Sequence, residues 1–533
     1  MRNRLSNHIK NLLLPCLSFS VIVGIFSAIL ITLFKLAAEA IIHISNSVYD
    51  IARERPIWLP LLILASALIG FVTSLILSFT HSCRGGGIPT SVAAIRGLVN
   101  FNWATSTLLL PFSALLTFLT GLPLGTEGPC VQMGTAIGGS VVKCVGGNRH
   151  NGWRRYIMTG GAAAGFSLAT ASPITAVIFS IEELHKRFSP MLITIASLSV
   201  ISAQVTSHLL SLLGICSGKL FHITNLPPIA PKLLFAPLIV GTVCGGVSIL
   251  FTKFYKIIDK AVHSALAKIS IKIAFPVIFA CVALIGFFLS ETLGTGHSLI
   301  DQLLQGGSVW YILILVFLIR AIFTMTSNTA GATGGIFLPT LAFGAIIGSL
   351  CADGMIASGL IGQEHYTLMV VLGISAFLAS TSRIPVTACI FAIEAMGGIN
   401  NILAIIISTV FAILVVEISG FEDFTDTVID TKLRAINKGK KKTVVEVALT
   451  VNKDSFAVGK ELRDILWPAS CVVVSFKRAP ENHEKTEIGE GDIITVHYKT
   501  YSPATTANEI EHLVGAQSEQ TNRVMKPIKN IIE

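Results

Sequence analysis

Glu127 is the only charged side chain between Ala104 and Val142, and it sits in the run Gly125-Thr126-Glu127-Gly128-Pro129. A carboxylate inside an apolar stretch of this length is costly and is a functional group by default. Proline is favoured in the first turn of a helix, where its missing N–H is not needed. Glycine lets backbone N–H groups approach a ligand with no Cβ in the way. The run therefore reads as the start of a helix. Such a start carries partial positive charge and unpaired N–H donors, which hold anions. The Glu127 carboxylate is itself an anion and would occupy that place; protonation would vacate it. One residue could thus act as a proton-linked gate. The bland alternative is a helix N-cap carboxylate.

Two further breaks have the same grammar: Arg84-Gly85-Gly86-Gly87-Ile88-Pro89 and Gly334-Gly335-Ile336-Phe337-Leu338-Pro339. Any one of them alone would read as a packing kink. Three together point to several helix N-termini aimed at one anion. The candidate anion-binding residues are Gly85, Gly86, Gly87, Ile88, Gly125, Gly128, Ile336 and Phe337. A site without a formal cation binds weakly enough for release, which suits conduction. Glu182 and Glu183 end another apolar segment just before His185-Lys186-Arg187. One of them is a candidate proton acceptor at the far side. The alternative is a solvated helix end with Glu182–Lys186 or Glu183–Arg187 pairs.

These residues must be positioned by elements that cross a membrane. Leu12–Phe34 and Trp58–Thr80 carry no charge, and Leu192–Leu213 carries only His208. Each reaches the roughly 20 apolar residues that span a bilayer. Ala104–Thr120, Phe337–Leu350 and Leu368–Ala379 are shorter and read as broken segments, which are tolerated at depth only where protein buries them or a polar cavity is lined. An internal repeat organises the chain. P-I-T-A-V-I-F-S-I-E-E at 173–183 returns as P-V-T-A-C-I-F-A-I-E-A at 385–395, and Gly125, Pro129, Gly134, Ile137 and Gly138 return as Gly335, Pro339, Gly344, Ile347 and Gly348. The halves are 12–215 and 230–436. Paired halves with Gly/Pro-broken segments mark transporters whose site lies at the midplane. The repeat alone leaves its orientation open.

Composition agrees. Of the 533 residues 52% are hydrophobic and 13% charged, and the mean hydropathy is +0.73. The net charge of +9 is scattered through loops and forms no stripe for nucleic acid. Basic residues at Met1–Lys10 and Lys438–Lys442 suggest that both termini are cytoplasmic. The N-terminus does not read as a cleaved signal. The ten cysteines are scattered without metal-ligand spacing. No nucleophile–base pair, metal cluster or phosphate-binding loop argues for an enzyme. Hydropathy collapses after about 420. Residues 437–442 read as a charged linker, 443–515 as a small water-soluble domain and 516–533 as a disordered tail.

G-T-E-G-P followed by C-V-Q-M-G at 125–134 resembles the G-R-E-G-P-x-V-Q-x-G motif of the CLC family of chloride channels and chloride/proton antiporters. G-G-G-I-P at 85–89, I-E-E at 181–183, G-G-I-F-L-P at 334–339 and S-R-I-P-V-T at 382–387 match further family motifs in order. The resemblance covers about 10–436. It implies an all-α polytopic membrane fold of two inverted repeats of broken helices, in the cell (inner or plasma) membrane. It implies a homodimer with one pore per subunit, no cofactor, and chloride as the transported ligand, exchanged for protons. Glu127 matches the external gating glutamate and Glu183 the internal proton glutamate of the antiporters. Three positions depart from the pattern. The family's central serine falls on Gly86, the arginine on Thr126, and the central tyrosine near Thr425. Loss of two hydroxyl donors implies a weaker central anion site and looser coupling. A passive voltage- or ligand-gated chloride channel, or an exporter of fluoride or nitrate, is the alternative; the fluoride exporters lack a carboxylate at the Glu183 position.

The tail resembles a TrkA-C domain, in V-E-V-A-L at 445–449, V-G-K-E-L at 458–462, L-W-P at 466–468, V-V-V-S-F-K-R at 472–478 and G-D-I-I-T-V at 491–496. A small α+β module with one helix at 458–466 is expected. The resemblance implies dimerisation and a regulatory small ligand or nucleotide; a stability cap without ligand is the alternative. The tail alone would suggest a potassium-linked cation transporter, but the membrane core offers no ring of carboxylates for one.

Overall fold

A computed structural model of the chain describes residues 14–80, 83–85, 87–99, 102–146, 152–215, 220–221, 223, 226–306, 309–437, 442–453, 455–468, 471–482, 486–501, 503–514 and 526–527. Among the described residues, seventeen α-helices fall within the first 436. In the first half they are α1 (Leu14–Glu54), α2 (Leu59–Phe79), α3 (Ile88–Ile95), α4 (Trp103–Leu119), α5 (Glu127–Val141), α6 (Arg154–Thr170), α7 (Pro173–Phe179) and α8 (Pro190–Leu212). A π-helical turn, Ser180–His185, continues α7. The second half holds α9 (Phe235–Leu266), α10 (Ile271–Phe288), α11 (His297–Gln305), α12 (Trp310–Ala330), α13 (Phe337–Ala357), α14 (Tyr366–Ser382), α15 (Pro385–Met396), α16 (Ile402–Ser419) and α17 (Phe424–Ile436). Proline opens α2, α3, α7, α8 and α15, where its fixed φ suits the first turn.

Among the described residues, nine helices are long and apolar enough to cross a membrane. Leu61, Leu64, Leu108, Leu209 and Leu403 point outward, while the inner helices α5, α6 and α14 bury nearly every residue and α13 buries all of Phe337–Ser349. This is a membrane protein with its densest packing around broken central segments. One of those segments is longer than the hydropathy suggested. The run from Phe337 continues past Leu350 to Ala357, giving α13 21 residues, because Asp353 interrupts the apolar composition without interrupting the helix.

The repeat is inverted in space. Gly125 and Gly335 face each other in an antiparallel bridge, each N–H donating to the other's carbonyl at 2.7 Å. Ala171 and Arg383, equivalent in the two halves, both take the left-handed conformation, φ 54° and 53°, just before the prolines that open α7 and α15. Opposite strand direction at the bridge is what an inverted pair requires.

The C-terminal residues form a sheet of strands β1 (Thr443–Thr450), β2 (Cys471–Lys477), β3 (Ile493–Thr500) and β4 (Lys526–Pro527), in the order β2-β3-β1-β4 and antiparallel throughout. Val445, Val447, Leu449, Ile494, Val496 and Tyr498 alternate onto one face and pack on Ile510 and Leu513 of α18 (Pro503–Val514). The expected helix at 458–466 is replaced by a turn and a short 3-10 segment, Leu462–Asp464. Gly459 is left-handed (φ 77°), and Gly459 and Lys460 exchange backbone bonds with Ile488, so this stretch is held as an extended bridge. Of the tail read as disordered, Lys526–Pro527 pairs with Val445 and Glu446 of β1; the rest of 516–533, like 438–441 of the linker, lies outside the described residues.

Candidate functional site

The three glycine breaks converge. A Cβ on Gly128 would lie 2.5 Å from the Gly335 Cα and 3.0 Å from the Gly87 Cα. No side chain fits between these backbones, so only glycine permits the approach. The N-termini of α3, α5 and α13 therefore meet at one place, each bringing the positive end of its dipole. Gly125 joins them through its bridge to Gly335, and Ile88, Ile336 and Phe337 sit at the same junction. Gly86 lies outside the described residues. Two side chains absent from the sequence-level site complete it. Gln132 accepts the Gly87 N–H at 2.7 Å, so that donor is already engaged. Lys432 of α17 donates to the Gly85 carbonyl and to Thr90 Oγ1 at 2.7 Å. The junction is thus not free of formal cations, as the glycines alone suggested. Lys432 is distant in sequence from every break, and nothing in its own neighbourhood marks it.

Glu127 opens α5 and is wholly buried. Its Oε1 accepts from the Thr126 hydroxyl at 3.1 Å. Its Oε2 lies beside Gly125 and has no hydrogen-bond partner. A carboxylate folded over its own helix N-terminus occupies the space an anion would take.

Glu183 lies in the π-turn that ends α7 and is 1% exposed. Its Oε2 likewise has no partner. The carboxyl borders a cavity of about 30 Å³, lined also by Ile88, Ile336, Phe337, Ser382 and Thr425. A space of that size holds a single water or small ion. The Thr425 hydroxyl is within hydrogen-bond reach of Glu183. The chain thus brings Ile88, Ile336, Phe337, Thr425 and Glu183 to one cavity and places Glu127 apart from it, at the convergent helix ends. Buried polar atoms are nearly always paired, so the lone oxygens of Glu127 and Glu183 demand a reason.

Glu182 corrects the reading of a solvated helix end. Its Oε2 accepts from the Thr387 N–H at 2.7 Å and the Thr387 hydroxyl at 2.6 Å, and Oε1 from the Val386 N–H at 3.1 Å. It caps α15. Lys186 pairs instead with Asp423 and Asp426, each at 2.7 Å. The Glu183 turn is held by Arg96, which donates to the Glu183 and Leu184 carbonyls at 3.0 Å each.

Residues 68–417 match the family model described as voltage gated chloride channel. The chain is 28% identical over 418 residues to the H(+)/Cl(-) exchange transporter ClcA of Vibrio campbellii, covering 76% of this chain and 87% of that protein. The Vibrio cholerae protein of the same name is 27% identical over 413 residues, covering 76% of this chain and 86% of that protein. In fold the chain is similar to a slow cyanobacterial Cl-/H+ antiporter, with a TM-score of 0.71 at 22% identity over 79% of this chain and 99% of the other. It is also similar to a CLC-type fluoride/proton antiporter, with a TM-score of 0.63 at 19% identity over 75% of this chain and 95% of the other. With three helix ends converging at the buried Glu127, a second buried carboxylate at a nearby cavity and two inverted halves, the chain belongs to the voltage-gated chloride channel (CLC) family.

Proposed function

We propose that this protein exchanges small anions, chloride first, for protons across the membrane. The observation that carries it is the pair of buried, singly unpaired carboxylates, Glu127 at the convergent helix N-termini and Glu183 at the cavity beside Thr425. Charged, Glu127 fills the anion position; protonated, it leaves that position to the anion. Glu183 supplies the proton from the opposite side. Gly85, Gly87, Ile88, Gly125, Gly128, Ile336 and Phe337 frame the anion path, and Lys432 adds a full positive charge beside it. Relatives named as H(+)/Cl(-) exchangers support the choice of chloride and protons. No cofactor enters this mechanism.

A second reading is passive chloride conduction, favoured by Thr425. Its short side chain reaches Glu183 rather than standing as a tyrosine hydroxyl at the anion. Liposomes given an outward chloride gradient separate the two, with chloride release and proton uptake recorded together. Proton influx in fixed proportion to chloride efflux supports exchange; chloride efflux alone selects conduction.

The same reading extends to assembly and placement. Ile174 of α7, Ile201 and Val205 of α8, Val386 of α15, and Leu403 and Val410 of α16 offer an apolar face for a second copy. The basic residues at both ends support cytoplasmic termini in the cell membrane. The sheet domain beyond residue 442 is a regulatory TrkA-C-like module that takes a small ligand or nucleotide.

A further inference from the structure

The C-terminal domain is seated on the membrane helices at the place where the Glu183 turn is held. Phe456 packs edge-on to Trp153, with ring centres 5.3 Å apart, and 5.7 Å from Tyr156. Lys460 lies 3.6 Å above the Phe456 ring and 5.6 Å from that of Trp153. The Tyr156 hydroxyl accepts the Leu466 N–H at 3.1 Å and donates to the Asp464 carbonyl. Arg155, at the start of α6, donates to the Leu466 carbonyl at 3.1 Å and forms an ion pair with Glu509 of α18. That pair is largely shielded, with side-chain exposures of 13% and 26%. Removing one partner of a charge pair shielded from solvent costs more than at an exposed pair, because the other charge is left uncompensated.

The pair also touches the far end of α3. Gly97 follows α3 in the left-handed conformation (φ 74°), and a Cβ there would lie 2.5 Å from Arg155 Nη2 and 2.9 Å from Glu509 Oε2. Its neighbour Arg96 grips the Glu183 and Leu184 carbonyls. One turn along α6, Thr159 Oγ1 bonds His185 Nε2 at 2.6 Å, in the same π-turn. The Glu509–Arg155 pair therefore sits between the two anchors of the turn that carries Glu183.

We propose that the C-terminal domain acts as a positioning clamp on the proton branch: Glu509 fixes Arg155 of α6 against Gly97 at the end of α3, and these two helices fix the Glu183 turn through Arg96 and Thr159. Glu509 is a positioning residue and touches neither anion nor proton. The clamp rests on the exchange reading above and gives it a point of cytoplasmic control.

The test uses the full chain in liposomes, with proton and chloride fluxes recorded together. Glu509→Gln should lower proton flux roughly five- to tenfold while chloride flux stays within about twofold of wild type. Glu509→Asp should recover most of the loss. Gly97→Ala crowds the same pair from the membrane side, leaves the tail sequence intact and should give the same split. Unchanged coupling in both Glu509→Gln and Gly97→Ala, or proton and chloride flux falling in parallel in both, overturns the clamp. Glu183→Gln is the control for the underlying reading. If it leaves proton flux intact, the role of Glu183 is wrong; if it stops proton flux while Glu509→Gln does nothing, only the clamp is wrong.

Discussion

Glu182 and Glu394 each cap the helix that leads to the other. Glu182 Oε2 accepts from the Thr387 N–H and hydroxyl at 2.7 and 2.6 Å; Glu394 Oε2 accepts from the Thr175 N–H and hydroxyl at 2.8 and 2.7 Å. Each also takes the preceding N–H, from Val386 and Ile174 respectively. The two halves are thus locked by reciprocal, charge-assisted caps. Glu394→Ala should lower stability by about 0.5–2 kcal/mol, the ordinary cost of a lost cap. Thermal melts in detergent, followed by intrinsic fluorescence, measure it. A variant as stable as wild type would mean that water satisfies those N–H groups equally well.

Lys432 places an ammonium at the first glycine break, bonded to Gly85 and Thr90. Positive charge beside an anion path raises local anion concentration. Lys432→Met should reduce chloride flux roughly tenfold at low ionic strength, with the deficit shrinking as salt screens the charge. Flux equal to wild type at every salt concentration would show that the ammonium is purely structural.

Gly86 stands where the resemblance expects a serine. A hydrogen bond to a charged group contributes roughly 1.5–3 kcal/mol. Gly86→Ser should therefore tighten chloride binding roughly tenfold or more, as read by calorimetric titration in detergent. An unchanged affinity would place the anion away from the first break.

In the C-terminal domain, Asp492 is buried and accepts from the Ala479 and Gly489 N–H groups, each at 2.9 Å, and from the Asn482 amide at 3.0 Å. Burial pushes its carboxyl up, but those bonds prevail and hold it below the ordinary value. A depressed carboxyl stabilises the folded state above its unfolded value, about 3.9, and that contribution fades as pH falls through the folded value. Asp492→Asn should loosen the domain by about 1–3 kcal/mol at neutral pH. Below about pH 4 the gap to wild type should narrow. Hydrogen exchange of β3 in the full chain reports it; a gap independent of pH would assign the effect to packing.

Much of this site was legible because its signals are local. Gly125–Pro129 and Gly334–Pro339 declare helix starts, and the repeat pairs them before any coordinate is known. Glu127 was conspicuous because it is alone in an apolar run. What stayed hidden was long-range. Lys432 meets Gly85 across most of the chain, and Arg96 reaches Glu183 only because α3 and the π-turn pack together. Glu182 and Glu183 look interchangeable by residue type and position, and only the family resemblance singled out Glu183; in space one caps α15 and the other faces a cavity, a choice made by the π-helical turn. The turn at 458–466 read as a helix by composition, and tertiary bonds from Gly459 and Lys460 to Ile488 overrode that propensity.

Coupled exchange through two carboxylates is tested most directly by proton uptake against a chloride gradient. Purified protein in liposomes, clamped with valinomycin, is given a chloride gradient and no pH gradient, and internal pH is recorded. Wild type should drive protons uphill. Glu183→Gln should abolish that movement while chloride still crosses, and Glu127→Gln should abolish it together with the proton dependence of chloride flux. Chloride flux without proton movement in wild type, or uphill proton movement surviving in both variants, would contradict the roles of Glu127 and Glu183.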